Sequence, residues 1–454
     1  MFTRRQTLLG ATALAAASHP AVAAEDSVGT NFRSLLYGEE DEQTTALDWL
    51  LARGGTDLAP GLIFAMRFAH WQEGPIGDVL KHITGETGNQ NWFDWMVWQE
   101  RHPEVIPHPS YLHLKRDLFL SIDPNFSVFM RDKWMARERM KIRFEEITWG
   151  GVRKDGIPSL DGPNMIPASE ADYLVGSDLV FGVAIDGDIR AYPLRIMGWH
   201  EMFNDVVAGV PLALAYCTLC GSGIVFETDA GREQPFVFGS SGFLYRSNKL
   251  MFDRETNSLW NQFTGQPVVG PLVDSGITLR QRPVVIEPWI RWAARNPDSQ
   301  VLSLTTGYDR NYGSGVVYDK YFSSPKLMFP TVVDQSRLKQ KDYVFGIRTF
   351  GGAKAWPVSA FEGGKVINDQ VAALSVVLVG DRLGRTVRAY ERGDLAFEVV
   401  ARPDRLSQNG EVWTVTEEHL IGPNGQRLPR VAGHIAYWFA WDGYMGARSE
   451  FYEQ

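Results

Sequence analysis

Leu179-Val180-Phe181-Gly182-Val183-Ala184-Ile185, with Ala191-Tyr192-Pro193-Leu194 and Asn204-Asp205-Val206-Val207 after it, is a passage that the chain writes twice. Val180-Phe181-Gly182-Val183 returns as Val344-Phe345-Gly346-Ile347. Ala191-Tyr192-Pro193-Leu194 returns as Ala355-Trp356-Pro357-Val358, and Asn204-Asp205-Val206-Val207 as Asn368-Asp369-Gln370-Val371, all at one offset and without a gap. β-Branched runs punctuated by Gly, Asp and Asn read as strands and turns, so the repeated unit is a β-rich module. Within it proline presets φ, and Asn204-Asp205 reads as the support of a hairpin turn together with Gly209.

Upstream the texture differs. Ala46, Leu47, Leu50 and Leu51 mark one helical face before Gly54-Gly55. Leu62, Ile63, Met66 and Ala69 mark a second before Gly74-Pro75, and Val79, Leu80 and Ile83 a third before Gly85. Trp92, Trp95 and Trp98 fall on helical spacing and read as packing residues. The expected class is α+β, with a helical N-terminal scaffold followed by a duplicated β-rich region. The expected divisions are a helical-hairpin domain over 30–148, a first β-rich copy over 149–335 and a second over 336–454.

The first 24 residues read as an export signal. Arg4-Arg5 precede an apolar run to Ala17 and the small-residue sites around Ala21-Val22-Ala23-Ala24, a pattern similar to twin-arginine signals, with Thr7 in place of the usual phenylalanine. The expected location is the periplasm. A net charge of −9 without a Lys/Arg block speaks against nucleic acid as partner, and no other window has the ~20 apolar residues of a membrane span. A small-molecule substrate or a metal-exchange partner fits better.

The two copies separate scaffold from chemistry. At the common offset His200 is replaced by Gly364, Glu201 by Lys365, Cys217 by Asp381 and Cys220 by Gly384. A module that folds with Gly and Asp at those positions does not need His or Cys there for packing. Cys217-Thr218-Leu219-Cys220-Gly221 holds the only two cysteines of 454 residues. Two thiolates and the His200 imidazole make a three-ligand metal set with an open fourth position, which Met197, Met202 or Met251 could fill. Copper is favoured over zinc or iron, and Glu201 is the candidate general base or partner of His200. The expected function is metal-dependent redox chemistry or metal handling. Two alternatives stand beside it: a thiol-disulfide oxidoreductase with Cys217 as nucleophile and Cys220 as resolving thiol, and a binding or assembly protein with a structural disulfide. The redox pair lacks one usual support, because Gly221-Ser222-Gly223 leads into β-like Ile224-Val225-Phe226 rather than a helix. Downstream, Tyr245, Arg246, Asp253 and Trp260 are candidates for lining a substrate pocket. His434, in an aromatic run, reads as a packed histidine that could supply a missing ligand.

Asp155-Gly156-Ile157-Pro158, Arg190-Ala191-Tyr192-Pro193-Leu194, His200-Glu201 with Asn204-Asp205, Tyr216-Cys217-Thr218-Leu219-Cys220-Gly221, Phe238-Gly239-Ser240-Ser241-Gly242 and Ser258-Leu259-Trp260 occur in the order that marks a known group. From about Gly151 to the C-terminus the chain resembles the bacterial family called domain of unknown function 3179. The resemblance implies an exported protein and supplies no reaction. Thr218 stands where the family commonly carries proline.

Overall fold

The computed structural model describes residues 20–69, 72–400, 402 and 404–453, with side chains from Ser27 onward. The paired arginines of the expected export signal lie outside the described residues. Two compact units divide at Pro124/Asn125.

The first unit is helical. Pro20–Tyr37, Glu40–Arg53, Ala59–Phe68, Glu73–Thr84, Trp92–Arg101 and Ser110–Ile122 are its main helices. Ala46, Leu47, Leu50, Leu62, Ile63, Met66, Val79 and Leu80 are buried, as their spacing predicts. Trp95 and Trp98 pack edge to face at 5.7 Å between ring centroids. No helix among the described residues is long and apolar enough to cross a membrane.

In the second unit, 125–454, the regular structure is chiefly strand. Residues 125–148 belong to it, where Phe126 and Phe129 pack on Phe243. Its duplication is exact in register. Leu179–Ile185 pairs with Asp188–Pro193, setting Val180 opposite Pro193 and Phe181 opposite Tyr192; Tyr343–Arg348 pairs with Ala353–Pro357, setting Val344 opposite Pro357 and Phe345 opposite Trp356. Asn204 faces Ala213 as Asn368 faces Val377, and Cys217 faces Ser222 as Asp381 faces Thr386.

The copies extend beyond the stretch visible in the sequence. Strand Val285–Pro288, helix Trp289–Arg295 and strand Gln300–Leu302 close the first sheet. Strand Gly433–Tyr437, helix Trp438–Met445 and strand Ser449–Phe451 close the second in the same way. Each helix drops a tryptophan onto the strand below it. A Cβ on Gly182 would lie 1.9 Å from the Trp292 ring, and one on Gly346 1.9 Å from the Trp441 ring. The indole N–H groups donate to Ser299 Oγ at 3.1 Å and Ser449 Oγ at 2.9 Å.

Asn204-Asp205 does not form the hairpin turn expected of it. The pair sits within strand Met202–Val207, and Ala208 and Gly209, with φ of 48° and 79°, make the turn. Asn204 instead clamps Phe238 by two hydrogen bonds of 2.8 and 2.9 Å, and Asn368 clamps Phe397 likewise. Asp205 accepts from Tyr192 and Arg190, and Asp369 from Trp356 and Lys354.

One core serves both copies: Phe181, Tyr192, Phe203 and Tyr216 pack in the same cluster as Phe345, Trp356 and Phe361. The second copy's strands continue into an eight-stranded sheet whose end strands, Lys365–Val371 and Glu398–Val399, come into contact, so that it curls almost into a barrel. Buried Arg388 ties this sheet to the first copy, donating to Glu287 and Glu417 with shortest contacts of 2.7 Å. Burial by itself would raise the Glu417 carboxyl, but Arg388, Arg430 and Arg295 outweigh it and hold its pKa at about 2.

Gly182→Ala is expected to destabilise the fold by about 1–3 kcal/mol through overpacking against Trp292, read as a lowered urea midpoint. Glu417→Gln is expected to cost about 3–5 kcal/mol at neutral pH, because buried Arg388 and Arg430 lose their shared carboxylate. Glu417 titrates lower folded than unfolded, so its stabilisation is complete above about pH 4.5 and fades as pH falls towards 2. The stability gap between parent and variant should therefore narrow across that window in urea denaturation at stepped pH.

Candidate functional site around the Cys217–Cys220 turn

Strand Val210–Cys217 and strand Ser222–Glu227 form a hairpin closed by Thr218-Leu219-Cys220-Gly221. Cys220 N–H bonds to the Cys217 carbonyl and Gly221 N–H to the Thr218 carbonyl, both at 3.2 Å. The two sulfurs are joined as a disulfide, with Cα atoms 5.2 Å apart. Gly221 has φ of 58°, and a Cβ there would meet the rings of Tyr343 and Tyr437 at 3.1–3.2 Å, so a side chain at this position is disfavoured by both backbone and crowding.

Helix Leu194–His200 ends at Glu201, which adopts φ of 56°. That left-handed residue reverses the chain, and its carbonyl accepts from Tyr216 N–H at 2.7 Å. Its side chain therefore reaches the cysteine turn. Glu201 Oε1 accepts from Thr218 Oγ1 at 2.8 Å, and Oε2 from Lys249 Nζ at 2.8 Å. Both charged groups are buried, Glu201 at 7% and Lys249 at 3% exposure. An ion pair so far from water survives because its hydrogen bonds are satisfied.

Other segments complete the wall. Strands Phe238–Tyr245 and Asn248–Asp253 turn through Arg246 and Ser247, both at positive φ, and the Ser247 carbonyl lies 3.5 Å from Cys220 Sγ. The segment 303–342, whose only α-helix among the described residues is Asp319–Ser323, sends three tyrosines inward. Tyr321 donates to the Leu219 carbonyl at 2.7 Å, Tyr318 to Glu201 at 3.4 Å, and Tyr312 meets His200 Nε2 at 2.6 Å. From the second copy, Tyr437 N–H donates to the Cys220 carbonyl at 2.8 Å. Burial is the main cause raising the Tyr318, Tyr321 and Tyr437 hydroxyls, which stay protonated donors at neutral pH.

His200 is not brought to the sulfurs as a third ligand. Its Nδ1 bonds to the Pro158 carbonyl at 2.9 Å and its Nε2 to Tyr312, so both ring nitrogens are engaged, and burial lowers its pKa. The reason is local: His200 stays on the helix, and the left-handed residue after it turns the chain so that Glu201 faces the cysteines. Among the described residues no group of three or more His, Cys, Asp or Glu is placed to hold a metal ion. His434 lies elsewhere, bonded to Gln281 at 3.3 Å and packed on Phe263 and Trp441.

The four pocket candidates divide. Arg246 and Tyr245 belong to the turn beside Cys220; Arg246 bonds to Glu146 at 2.6 Å, and the Tyr245 ring packs on Tyr444. Asp253 ends strand Asn248–Asp253, about 16 Å along it from Asn248, and Trp260 lies on the neighbouring strand Leu259–Asn261 opposite Met251. Asp253 accepts from Thr256, Ser258 and the Trp260 indole N–H, which makes it the anchor of a turn.

Lys249 escaped the sequence reading because it follows Arg246-Ser247-Asn248 at the head of the apolar run Leu250-Met251-Phe252, where a lysine has the pattern of a solvated turn. The tyrosines of 303–342 escaped it as well, because nothing local ties that stretch to the hairpin.

Searches of curated proteins and of solved structures return no match to the chain. Residues 154–448, which contain the whole cysteine turn, Glu201, Lys249 and the three tyrosines, match the family described as "Protein of unknown function (DUF3179)", and the chain belongs to that family.

Proposed function

We propose that this protein is a thiol-disulfide oxidoreductase of the periplasm, with Cys217–Cys220 as its redox couple and small thiols as substrates. One observation carries the reading: the disulfide turn is hydrogen-bonded through Thr218 to a buried Glu201–Lys249 pair, while the sister hairpin keeps the same register with no disulfide and with Lys365 where Glu201 stands. A purely structural role has little to do here. Closing so short a loop gains only about 2 kcal/mol by chain entropy, and Asp381 and Thr386 pair as Cys217 and Ser222 do without a bridge. The export-like N-terminus fits a compartment in which disulfides persist.

The chemistry follows from position. Cys217 is 2% exposed, whereas Cys220 is fully enclosed and lies against the Ser247 carbonyl. An incoming thiolate attacks Cys217 Sγ; the sulfur–sulfur bond breaks, and Cys220 leaves as a thiolate. That thiolate takes a proton from the Lys249 ammonium, the buried acid paired with Glu201 beside the turn. A second substrate thiolate then attacks the substrate sulfur of the mixed disulfide, releasing oxidised substrate and the Cys217 thiolate. Access requires the Tyr318–Tyr321 part of 303–342 to move aside.

Equilibration with reduced and oxidised glutathione, followed by acid trapping and mass spectrometry, is expected to interconvert the bridged and dithiol forms. Cys220→Ser should trap glutathione on Cys217, and Cys217→Ser should trap far less on Cys220. Lys249→Met should slow exchange by about 10- to 100-fold and alter its pH profile. A disulfide inert to glutathione in the folded protein would make the bridge structural. Stoichiometric metal on the protein, lost in Cys217→Ser, would restore the metal-site reading.

A further inference from the structure

The sister of the cysteine site is an open cavity. At the end of the second copy's hairpin, where Gly364, Lys365 and Asp381 stand in place of His200, Glu201 and Cys217, a cavity of about 1280 Å³ lies at the mouth of the eight-stranded sheet beside helix Trp289–Arg295. Barrel mouths are common ligand sites, and this one is large enough for a small organic molecule. We propose that it binds an amphipathic anion: an apolar body bearing a carboxylate or sulfonate.

Three features select that chemistry. The wall carries Val366, Val379, Leu406 and Val415, which favour an apolar body. Arg388, the most deeply buried cation at the cavity, already places four of its five N–H groups on Glu287 and Glu417, which balance its charge. Two other nitrogens at the lining residues are left over. Asn296, more than nine-tenths buried, has its Nδ2 without a hydrogen-bond partner; so has the buried Nε of Arg295, which lies 3.9 Å from Glu417, too far to bond. Both are donors, and a buried donor without an acceptor is costly, so the complement is an oxygen-rich head group. Lys365, exposed among the lining residues, adds positive charge where the first copy has the acid Glu201. The cavity shares no residue with the cysteine turn, so this site stands or falls independently of the redox reading.

Calorimetric titration of the full chain with 1-naphthaleneacetate, against neutral 1-naphthaleneacetamide, tests the proposal. The acid is expected to bind one per chain and at least about tenfold more tightly than the amide. Lys365→Glu should weaken the acid about fivefold or more. Val379→Trp, filling the cavity, should abolish binding of both, and Cys217→Ser should change neither. Circular dichroism verifies that each variant is folded, and Lys365→Glu alters only an exposed side chain. No binding of the acid at about 1 mM, equal binding of acid and amide, or binding unmoved by Lys365→Glu and Val379→Trp would each overturn the proposal.

Discussion

The indole of Trp292 fills the space into which any side chain at residue 182 would project, and Trp441 does the same above Gly346. This fit, ring on bare backbone, lets a helix lie close on a strand pair, and a serine hydroxyl on the indole N–H fixes the ring's rotation. Once each helix is seated, the strands before and after it are committed to opposite sides of one strand pair, antiparallel on one side and parallel on the other. The second hairpin of each copy then hangs from the Asp205 or Asp369 carboxylate, which gathers donors from the first. The cysteine turn is the tip of the next hairpin, which shares strand Val210–Cys217 with that one, and its position is inherited from packing that makes no use of cysteine.

What distinguishes the copies is how each tip is enclosed. In the first, segment 303–342, the turn at Arg246-Ser247 and the second copy's Tyr437 close around it, leaving the disulfide turn hydrogen-bonded through Thr218 to the buried Glu201–Lys249 pair. In the second, the tip faces the open mouth of a sheet enlarged by four further strands, and the buried charges lie to one side as the Arg388 cluster. Equivalent backbone thus supports a closed polar chamber in one place and an open apolar one in the other.

The α+β class, the helical scaffold and the duplicated module were legible in the residues, since Val-Phe-Gly, Ala-aromatic-Pro and Asn-Asp recur at constant spacing. The closing strand–helix–strand was not, because the distance from the second hairpin to that closure differs between the copies, and a fixed offset loses it. Asn204-Asp205 has the composition of a turn yet acts as a clamp, since an amide and a carboxylate serve a neighbouring strand as well as a turn. Cys217, Cys220 and Glu201 were found at one site, whereas His200 was not. His200 stays on the helix and bonds Pro158 and Tyr312, while the left-handed Glu201 sends its side chain to Thr218 and Lys249, and φ at Glu201 cannot be read from its neighbours. Lys249 and the three tyrosines come from segments distant in sequence and needed the tertiary structure.

The common core has a consequence for how such a chain could have arisen. Phe181 and Tyr192 of one module and Phe345 and Trp356 of the other complete a single apolar interior. A half-length forebear with one module would have shown half of that interior to water, and two molecules docking across it would have regained the missing layer. Fusing them in tandem frees one member of the pair to lose its original tip and take up different chemistry while the other keeps it, a freedom that two identical subunits encoded by one gene do not have.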